Sequence, residues 1–217
     1  MKNQKAYLAE FIGTTLLVAV IVGAGTMGSL VSRDSGVGLM LNALAVAGIL
    51  WILITTLGSI SGAHFNPVVS LVMAFRKAIS TTDAVIYIIL QILGAIAGAT
   101  LANAMYEKTL IEISKSDRAG YGQFTGEIVA TAGLIFFIVL LSNSDRGKKI
   151  PTAVAGWIGA AFFFTSSTAF ANPAVTIGRI FTGSVAGINP NSVLSFILAQ
   201  LIGGAIGFGL ATALKNK

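Results

Sequence analysis

Two stretches decide the fold: Phe65-Asn66-Pro67-Val68-Val69-Ser70 and Ala171-Asn172-Pro173-Ala174-Val175-Thr176. Each contains an Asn-Pro pair followed by small or branched residues, and each lies inside a long apolar region. Proline is favoured in the first turn of a helix, and the asparagine before it suits the N-cap position. Each stretch therefore predicts the start of a helix within an apolar environment.

The composition places the chain in a lipid bilayer. Hydrophobic residues make up 55% and charged residues only 10%, whereas about 25% is usual for soluble domains. The absence of cysteine and the single histidine, His64, exclude a thiol nucleophile and a histidine-cluster metal site. With no catalytic triad or phosphate loop available, we expect neither an enzyme nor a bound cofactor. The net charge of +6 comes from basic residues between apolar runs, so we expect no nucleic-acid partner.

Six apolar stretches are expected to span the membrane, since a helical span needs about 20 residues. Two of them, 35–75 and 150–178, are too long for one span, and an Asn-Pro pair lies near the end of each. We interpret each as a full span, a polar break and a short helix. The four simple spans are Ala6 to Ser32, Ala84 to Tyr106, Ala119 to Ser144, and the stretch after Asn189-Pro190.

The helix that begins at Asn66 is too short to cross the bilayer. Ten residues separate Asn66 from the charged pair Arg76-Lys77, and at 1.5 Å per residue they cover about half of a ~30 Å hydrocarbon core. This half-helix is expected to start at the midplane and return to the face from which the chain entered. Irregular backbone at that depth is tolerated only inside protein or beside a water-filled cavity, so a cavity is predicted.

The two halves of the chain repeat the same motifs in the same order. Glu10 pairs with Glu127, the two Asn-Pro stretches pair, and the run from Gln91 to Gly98 pairs with the run from Gln200 to Gly207. We place repeat 1 at about 6–106 and repeat 2 at about 119–214, within one domain of residues 1–217. Three spans per repeat invert the second copy, so the two half-helices enter from opposite faces and meet at the midplane.

This joint pattern resembles the major intrinsic protein family of aquaporins and glycerol facilitators, over essentially the whole chain. The resemblance implies an all-α integral membrane fold, a right-handed bundle of six transmembrane helices plus two re-entrant half-helices. It implies a passive channel for water and small uncharged solutes, assembled as a homotetramer in the lipid bilayer. The residues expected at the pore midplane are Asn66, Pro67, Val68, Asn172, Pro173 and Ala174.

The resemblance also implies roles for polar residues near the midplane. Asn66 and Asn172 would donate hydrogen bonds to the solute; the alternative is a capping role alone, but a cap uses only the side-chain oxygen and leaves the NH2 group free. Glu10 and Glu127 would support the re-entrant loops, with a proton relay as the alternative. His64 would be a neutral pore-lining residue, with a pH sensor as the alternative.

The sequence departs from the family at the outer constriction, the selectivity filter. Family members usually carry arginine directly after the second Asn-Pro-Ala, where this chain has Val175. Counting from the motifs puts the other filter positions at Val46, Ala160 and Ala169. All four side chains are apolar and small or medium in size. We therefore expect a wide filter that admits glycerol, urea or neutral metalloid acids such as arsenite, as in the bacterial arsenic-associated aquaglyceroporins that the chain resembles.

Arg179 lies four residues after Val175, on the same face of the predicted helix. Two interpretations are open: a positive charge at the outer mouth, or an anchor whose head group snorkels to the membrane interface.

Two other functions remain as alternatives to a solute channel. One is a water-selective aquaporin. The other is a secondary transporter, because inverted repeats with broken helices also describe that class. The transporter is disfavoured because the only intramembrane carboxylates, Glu10 and Glu127, occupy symmetric positions that suit a structural role.

The basic residues predict the orientation. Nine fall on the side of the termini and five on the other side, so the positive-inside rule places both termini in the cytoplasm, as expected for a cell (inner) membrane protein. The nine are Lys2, Lys5, Arg76, Lys77, Arg146, Lys148, Lys149, Lys215 and Lys217, and the five are Arg33, Lys108, Lys115, Arg118 and Arg179.

Overall fold

The structure is a computed structural model that describes residues 2–214. Over these residues the regular structure is helical throughout, as predicted. The helices are α1 (Lys2–Val31), α2 (Ser35–Ser61), α3 (Pro67–Phe75), α4 (Thr81–Met105), α5 (Tyr121–Ser142), α6 (Ile150–Phe164), α7 (Pro173–Gly178) and α8 (Pro190–Ala213). Two 3₁₀ turns, Gly147–Lys149 before α6 and Arg179–Phe181 after α7, complete the set.

Five helices are long and apolar enough to cross a membrane: α1, α2, α4, α5 and α8. The sixth predicted span, α6, is shorter than expected, with 15 residues. It ends at Phe164 because the polar run Thr165-Ser166-Ser167-Thr168 leaves the helix and enters the bundle. The order of two spans, one short helix and one span occurs twice along the chain; the internal repeat stays a prediction.

The chain ends define two faces of the bundle. The terminal face is where α1 begins and α8 ends; there the Tyr7 hydroxyl donates to the Asp83 carboxylate at 2.6 Å. The distal face carries the α1–α2 and α4–α5 connections; there the Arg118 backbone N–H donates to the Ser192 hydroxyl at 3.0 Å. Two of the basic residues assigned to the terminal face, Lys215 and Lys217, lie outside the described residues.

The two half-helices begin where the Asn-Pro pairs predict. The Asn66 side-chain oxygen accepts a hydrogen bond from Val68 N at 2.9 Å and caps α3. Asn172 caps α7 in the same way, accepting from Ala174 N at 2.9 Å and from Val175 N at 3.2 Å. Proline then occupies the first position of each helix, where its missing N–H leaves no bond unmade.

Glycines let the first and last span of each repeat approach closely. In α4, a Cβ on Gly94 would lie 2.6 Å from the carbonyl oxygen of Phe11 in α1. In α8, a Cβ on Gly203 would lie 2.5 Å from the carbonyl oxygen of Ile128 in α5. These contacts bring Glu10 of α1 beside α4, and Glu127 of α5 beside α8, at the level where the half-helices start.

We expect Gly94→Ala to destabilise the fold by about 1–3 kcal/mol, because the new methyl group must displace backbone rather than a flexible side chain. The measurement is thermal unfolding in detergent. Gly209→Ala is the matched control: it adds the same group to exposed α8 with no atom of the described residues within 4 Å, and should leave stability unchanged or slightly raised. Equal melting temperatures for both variants would contradict the packing interpretation.

Candidate functional site: the central cavity

A cavity of about 420 Å³ lies between the long helices and both re-entrant loops; we call it the central cavity. Its walls are mostly apolar and come from α1, α2, α5 and α6, represented by Leu17, Leu50, Leu134 and Ile158. Polar groups enter it mainly from the two loops that precede α3 and α7. The arrangement is an apolar channel with polar groups concentrated at one level.

The two Asn-Pro motifs are joined by a reciprocal pair of hydrogen bonds. The Asn66 amide NH2 donates to the carbonyl oxygen of Ala171 at 2.8 Å, and the Asn172 amide NH2 donates to the carbonyl oxygen of Phe65 at 2.7 Å. Both asparagines also line the central cavity. The sequence suggested that each amide group is free to donate. In the structure, one N–H of each amide is used between the loops, and the other N–H has no acceptor among the described residues.

The remaining residues predicted at the midplane are buried behind the wall. Pro67, Val68, Pro173 and Ala174 belong to α3 and α7 and are not among the described residues that line the central cavity. Val68 packs instead against Gly204 of α8. Their position at the pore midplane stays a prediction; the half-helix residues that line the central cavity are Val69, Met73 and Val175.

Glu10 binds the first re-entrant loop and is fully buried. Its carboxylate accepts from the backbone N–H groups of His64 and Phe65 at 3.0 and 2.7 Å. It also accepts from the Ser61 hydroxyl at 2.6 Å and from the Gln91 amide at 2.8 Å. Four donors thus converge on one carboxylate, which is the set of contacts that loop support requires.

Glu127 holds the second loop with the same geometry. It is fully buried and accepts from the backbone N–H groups of Phe170 and Ala171 at 2.9 and 2.8 Å, and from the Gln200 amide at 2.5 Å. Phe65 and Ala171 have φ values of 49° and 48°, a left-handed conformation that non-glycine residues adopt only when their surroundings impose it. In each loop the glutamate bonds fix that conformation.

Two glutamines complete these networks, although the sequence assigned them only to the repeat. Gln91 also donates to the Ser70 hydroxyl at 3.0 Å, and Gln200 to the Thr176 hydroxyl at 2.9 Å. Each glutamine therefore ties its glutamate to the half-helix. The sequence did contain a signal for this role. In the repeat, Gln91 pairs with Gln200 and Ser70 pairs with Thr176, and two buried amides at equivalent positions need equivalent hydrogen-bond partners.

We expect Glu127→Gln to lower stability by about 2–4 kcal/mol, because a neutral amide cannot accept from three donors and adds two donors of its own. The loss is measured by thermal unfolding in detergent. Glu107→Gln, at an exposed position, is the control and should change little. A Glu127→Gln protein with unchanged stability, but with solute flux that has lost its dependence on pH, would favour the proton relay instead.

His64 lies on the wall of the central cavity, as predicted. Its ring Nδ1 is 3.1 Å from the Ser70 hydroxyl, and its ring packs edge-on against Tyr87 with 5.3 Å between centroids. Among the described residues, no carboxylate is hydrogen-bonded to the His64 ring. These contacts suit a neutral imidazole, and its role in the pore stays a prediction.

Three of the four predicted filter residues, Val46, Ala169 and Val175, line the central cavity. Ala160 does not; it is exposed on α6. The α6 residues on the cavity wall are Ile150, Val154, Ile158 and Phe162, spaced four apart, and a residue two positions from them points to the opposite side of the helix. Counting from the motifs therefore placed the α6 filter position at the wrong residue. Phe162, and not Ala160, lies on the cavity wall.

Arg179 is buried, with 3% of its surface exposed. Its Nε donates to the carbonyl oxygen of Ala186, and its Cζ lies 3.3 Å from the centroid of the Phe170 ring. The side chain is therefore held inside the protein and does not snorkel to the interface, which was the second interpretation. Arg179 belongs to the wall of the central cavity.

Comparison with known proteins gives this architecture a family. The model described as "Major intrinsic protein" matches residues 1–166, well over half of the chain. The chain belongs to the major intrinsic protein family. It is 41% identical over 203 residues to the aquaglyceroporin AqpS of Rhizobium meliloti (strain 1021), covering 94% of this chain and 87% of that protein. It is 27% identical over 216 residues to aquaporin NIP6-1 of Arabidopsis thaliana, covering 95% of this chain and 68% of that protein.

The fold agrees with that of a solved aquaglyceroporin. The X-ray structure of the aquaglyceroporin from Plasmodium falciparum superposes with a TM-score of 0.79 at 20% identity, covering 98% of this chain and 96% of that one. Membership confirms that the protein is a membrane channel for water and small solutes such as glycerol, and not an enzyme. The secondary transporter is accordingly set aside.

Proposed function

We propose that this major intrinsic protein conducts glycerol-sized polyols, urea and undissociated metalloid acids such as arsenite, passively and together with water. The observation that carries the proposal is Val175 on the cavity wall, directly after the second Asn-Pro-Ala, where the family usually has arginine. Val46 and Ala169 line the same wall and are also apolar. An apolar constriction without a charged side chain across it admits neutral solutes that are larger than water.

The chemistry of passage follows from the wall and the midplane. Apolar walls offer no hydrogen bonds, so a solute loses part of its hydration on entry, and polar groups at the midplane replace it. The second N–H of each amide, on Asn66 and Asn172, is the donor available to a hydroxyl oxygen. The N-termini of α3 and α7 add partial positive charge at the same level, which disfavours cations.

The water-selective alternative predicts a narrower and more polar constriction than Val46, Ala169 and Val175 provide. Phe162 also lines this cavity, and its aromatic ring limits the width on the α6 side. We therefore favour a filter that passes water and small solutes over one that passes water alone. Stopped-flow light scattering on proteoliposomes, with water, glycerol, urea and arsenite compared side by side, tests this directly.

Val175→Arg should reduce glycerol permeability by about tenfold and water permeability much less, since a charged side chain narrows the lumen and binds water well. Both permeabilities are measured in proteoliposomes by stopped-flow light scattering. Val175→Leu is the control for bulk without charge, and should have a smaller effect on glycerol. If glycerol and water permeability fall equally, or neither changes, Val175 is not part of the filter.

We also propose that the terminal face is cytoplasmic, that the channel resides in the cell (inner) membrane and that it forms a homotetramer with one pore per protomer. The charge asymmetry supports the orientation, while the tetramer rests on family resemblance. Within the described part of the chain, Lys148 is exposed on the terminal face and Lys108 on the distal face.

The orientation is testable because the chain contains no cysteine. In intact cells, Lys108→Cys should react with a membrane-impermeant maleimide, whereas Lys148→Cys should react only after the membrane is permeabilised. The cysteine-free wild type is the control for background labelling. Labelling of Lys148→Cys in intact cells would reverse the proposed orientation.

A further inference from the structure

A second cavity, of about 440 Å³, opens at the distal face; we call it the distal cavity. Arg33 and Asp34 of the α1–α2 connection lie at its wall, together with Asn42 of α2. Phe162 and Arg179 line both this cavity and the central cavity. A solute that moves between the two cavities therefore passes these two side chains.

The Arg179 guanidinium is fixed in orientation but keeps donors to spare. Nε is bonded to the Ala186 carbonyl, and the guanidinium group stacks on the Phe170 ring. Among the described residues, none accepts a hydrogen bond from the two terminal nitrogens. These nitrogens are also not fully enclosed by the protein. The terminal nitrogens therefore face the space that the two cavities share.

In the part of the chain that the structure describes, no carboxylate is hydrogen-bonded to the Arg179 guanidinium. Glu127 is occupied by the backbone of the second re-entrant loop and by Gln200. The other guanidinium nearby, that of Arg118, lies 5.0 Å from the centroid of the same Phe170 ring and donates to the carbonyl oxygens of Gly187 and Val185. Arg118 is thus bound to the loop before α8 and lines only the distal cavity, whereas Arg179 borders both cavities.

The buried side chain of Asn42, in α2, lies near Ala186. Asn42 is 8% exposed, and its side-chain oxygen has no partner among the described residues. A Cβ built on Gly25 would be 3.2 Å from the Asn42 amide nitrogen and 3.4 Å from the Ala186 methyl carbon. Asn42 therefore neighbours the residue whose carbonyl holds Arg179, across a space that a glycine leaves open.

We infer that Arg179 is the specificity-determining charge of this channel. It excludes cations one helical turn beyond Val175, the filter position at which the family usually has arginine. Stacked on Phe170, its side chain lies along the wall, so the constriction keeps its width and gains a fixed charge. The unbonded terminal nitrogens of Arg179 are hydrogen-bond donors from which the oxygen of a neutral hydroxyl-bearing solute can accept. The inference rests on the proposed function as a passive solute channel.

Urea and guanidinium provide the test, because they have nearly the same planar shape and differ in charge. Uptake of each, radiolabelled, is measured in proteoliposomes that contain the full chain. The wild type should take up urea and exclude guanidinium. In Arg179→Gln, guanidinium uptake should rise by about tenfold or more while urea uptake changes little, because a fixed charge acts strongly where water is scarce.

Matched variants separate charge from structure. Arg33→Gln removes the same charge from an exposed position on the distal cavity and should exclude guanidinium as the wild type does. Arg179→Lys keeps the charge and should also exclude it. Val175→Arg combined with Arg179→Gln returns the charge to the usual family position and should restore exclusion. If Arg179→Gln does not reconstitute, Arg179→Met takes its place as the neutral variant, since its unbranched side chain can still contact Phe170.

The outcomes distinguish failure of the proposed function from failure of the inference about Arg179. A wild type that passes neither glycerol nor urea overturns the proposed function, and this inference with it. A wild type that passes both neutral solutes, combined with a neutral variant at position 179 that still excludes guanidinium, overturns this inference alone. The inference also fails if Arg179→Lys admits guanidinium as readily as the neutral variant does.

Discussion

Non-helical backbone in the middle of a membrane must find every hydrogen-bond partner inside the protein, because each unsatisfied group costs several kcal/mol there. The residue before each Asn-Pro pair meets this constraint with both its backbone N–H and its carbonyl oxygen. Phe65 donates its N–H to Glu10 and accepts from the Asn172 amide through its carbonyl. Ala171 donates to Glu127 and accepts from Asn66. The left-handed conformation of both residues is what directs the carbonyls across the midplane.

Helix packing in the rest of the bundle positions the residues that make these hydrogen bonds. Close contact of α1 with α4, at Gly94, brings Gln91 to Glu10, and the equivalent contact of α5 with α8, at Gly203, brings Gln200 to Glu127. The carboxylates can then be deeply buried because several donors surround each of them. The apolar walls of the central cavity are free of this task, so their side chains can be chosen for solute size alone.

The sequence was sufficient for features that depend on local chemistry or on spacing. The Asn-Pro pairs predicted where α3 and α7 begin, because capping and the proline position act within a few residues. The position on α6 was missed because the loop between Phe164 and Pro173 is irregular, and no helical period carries a register through it. The burial of Arg179 could not be predicted either, since its partners, Phe170 and Ala186, come from two loops whose approach only the tertiary structure fixes.

The reciprocal exchange at the midplane also governs how the protein is made. Synthesis proceeds from the N-terminus, so the first three spans emerge while the Phe65 carbonyl still lacks Asn172, which lies 107 residues further along the chain. The first half therefore leaves the ribosome without its hydrogen-bond partners at the midplane. Either half expressed alone lacks them too. Closure of the lumen is a late step in biogenesis that requires both halves at once, which couples insertion of the last spans to assembly of the conducting path.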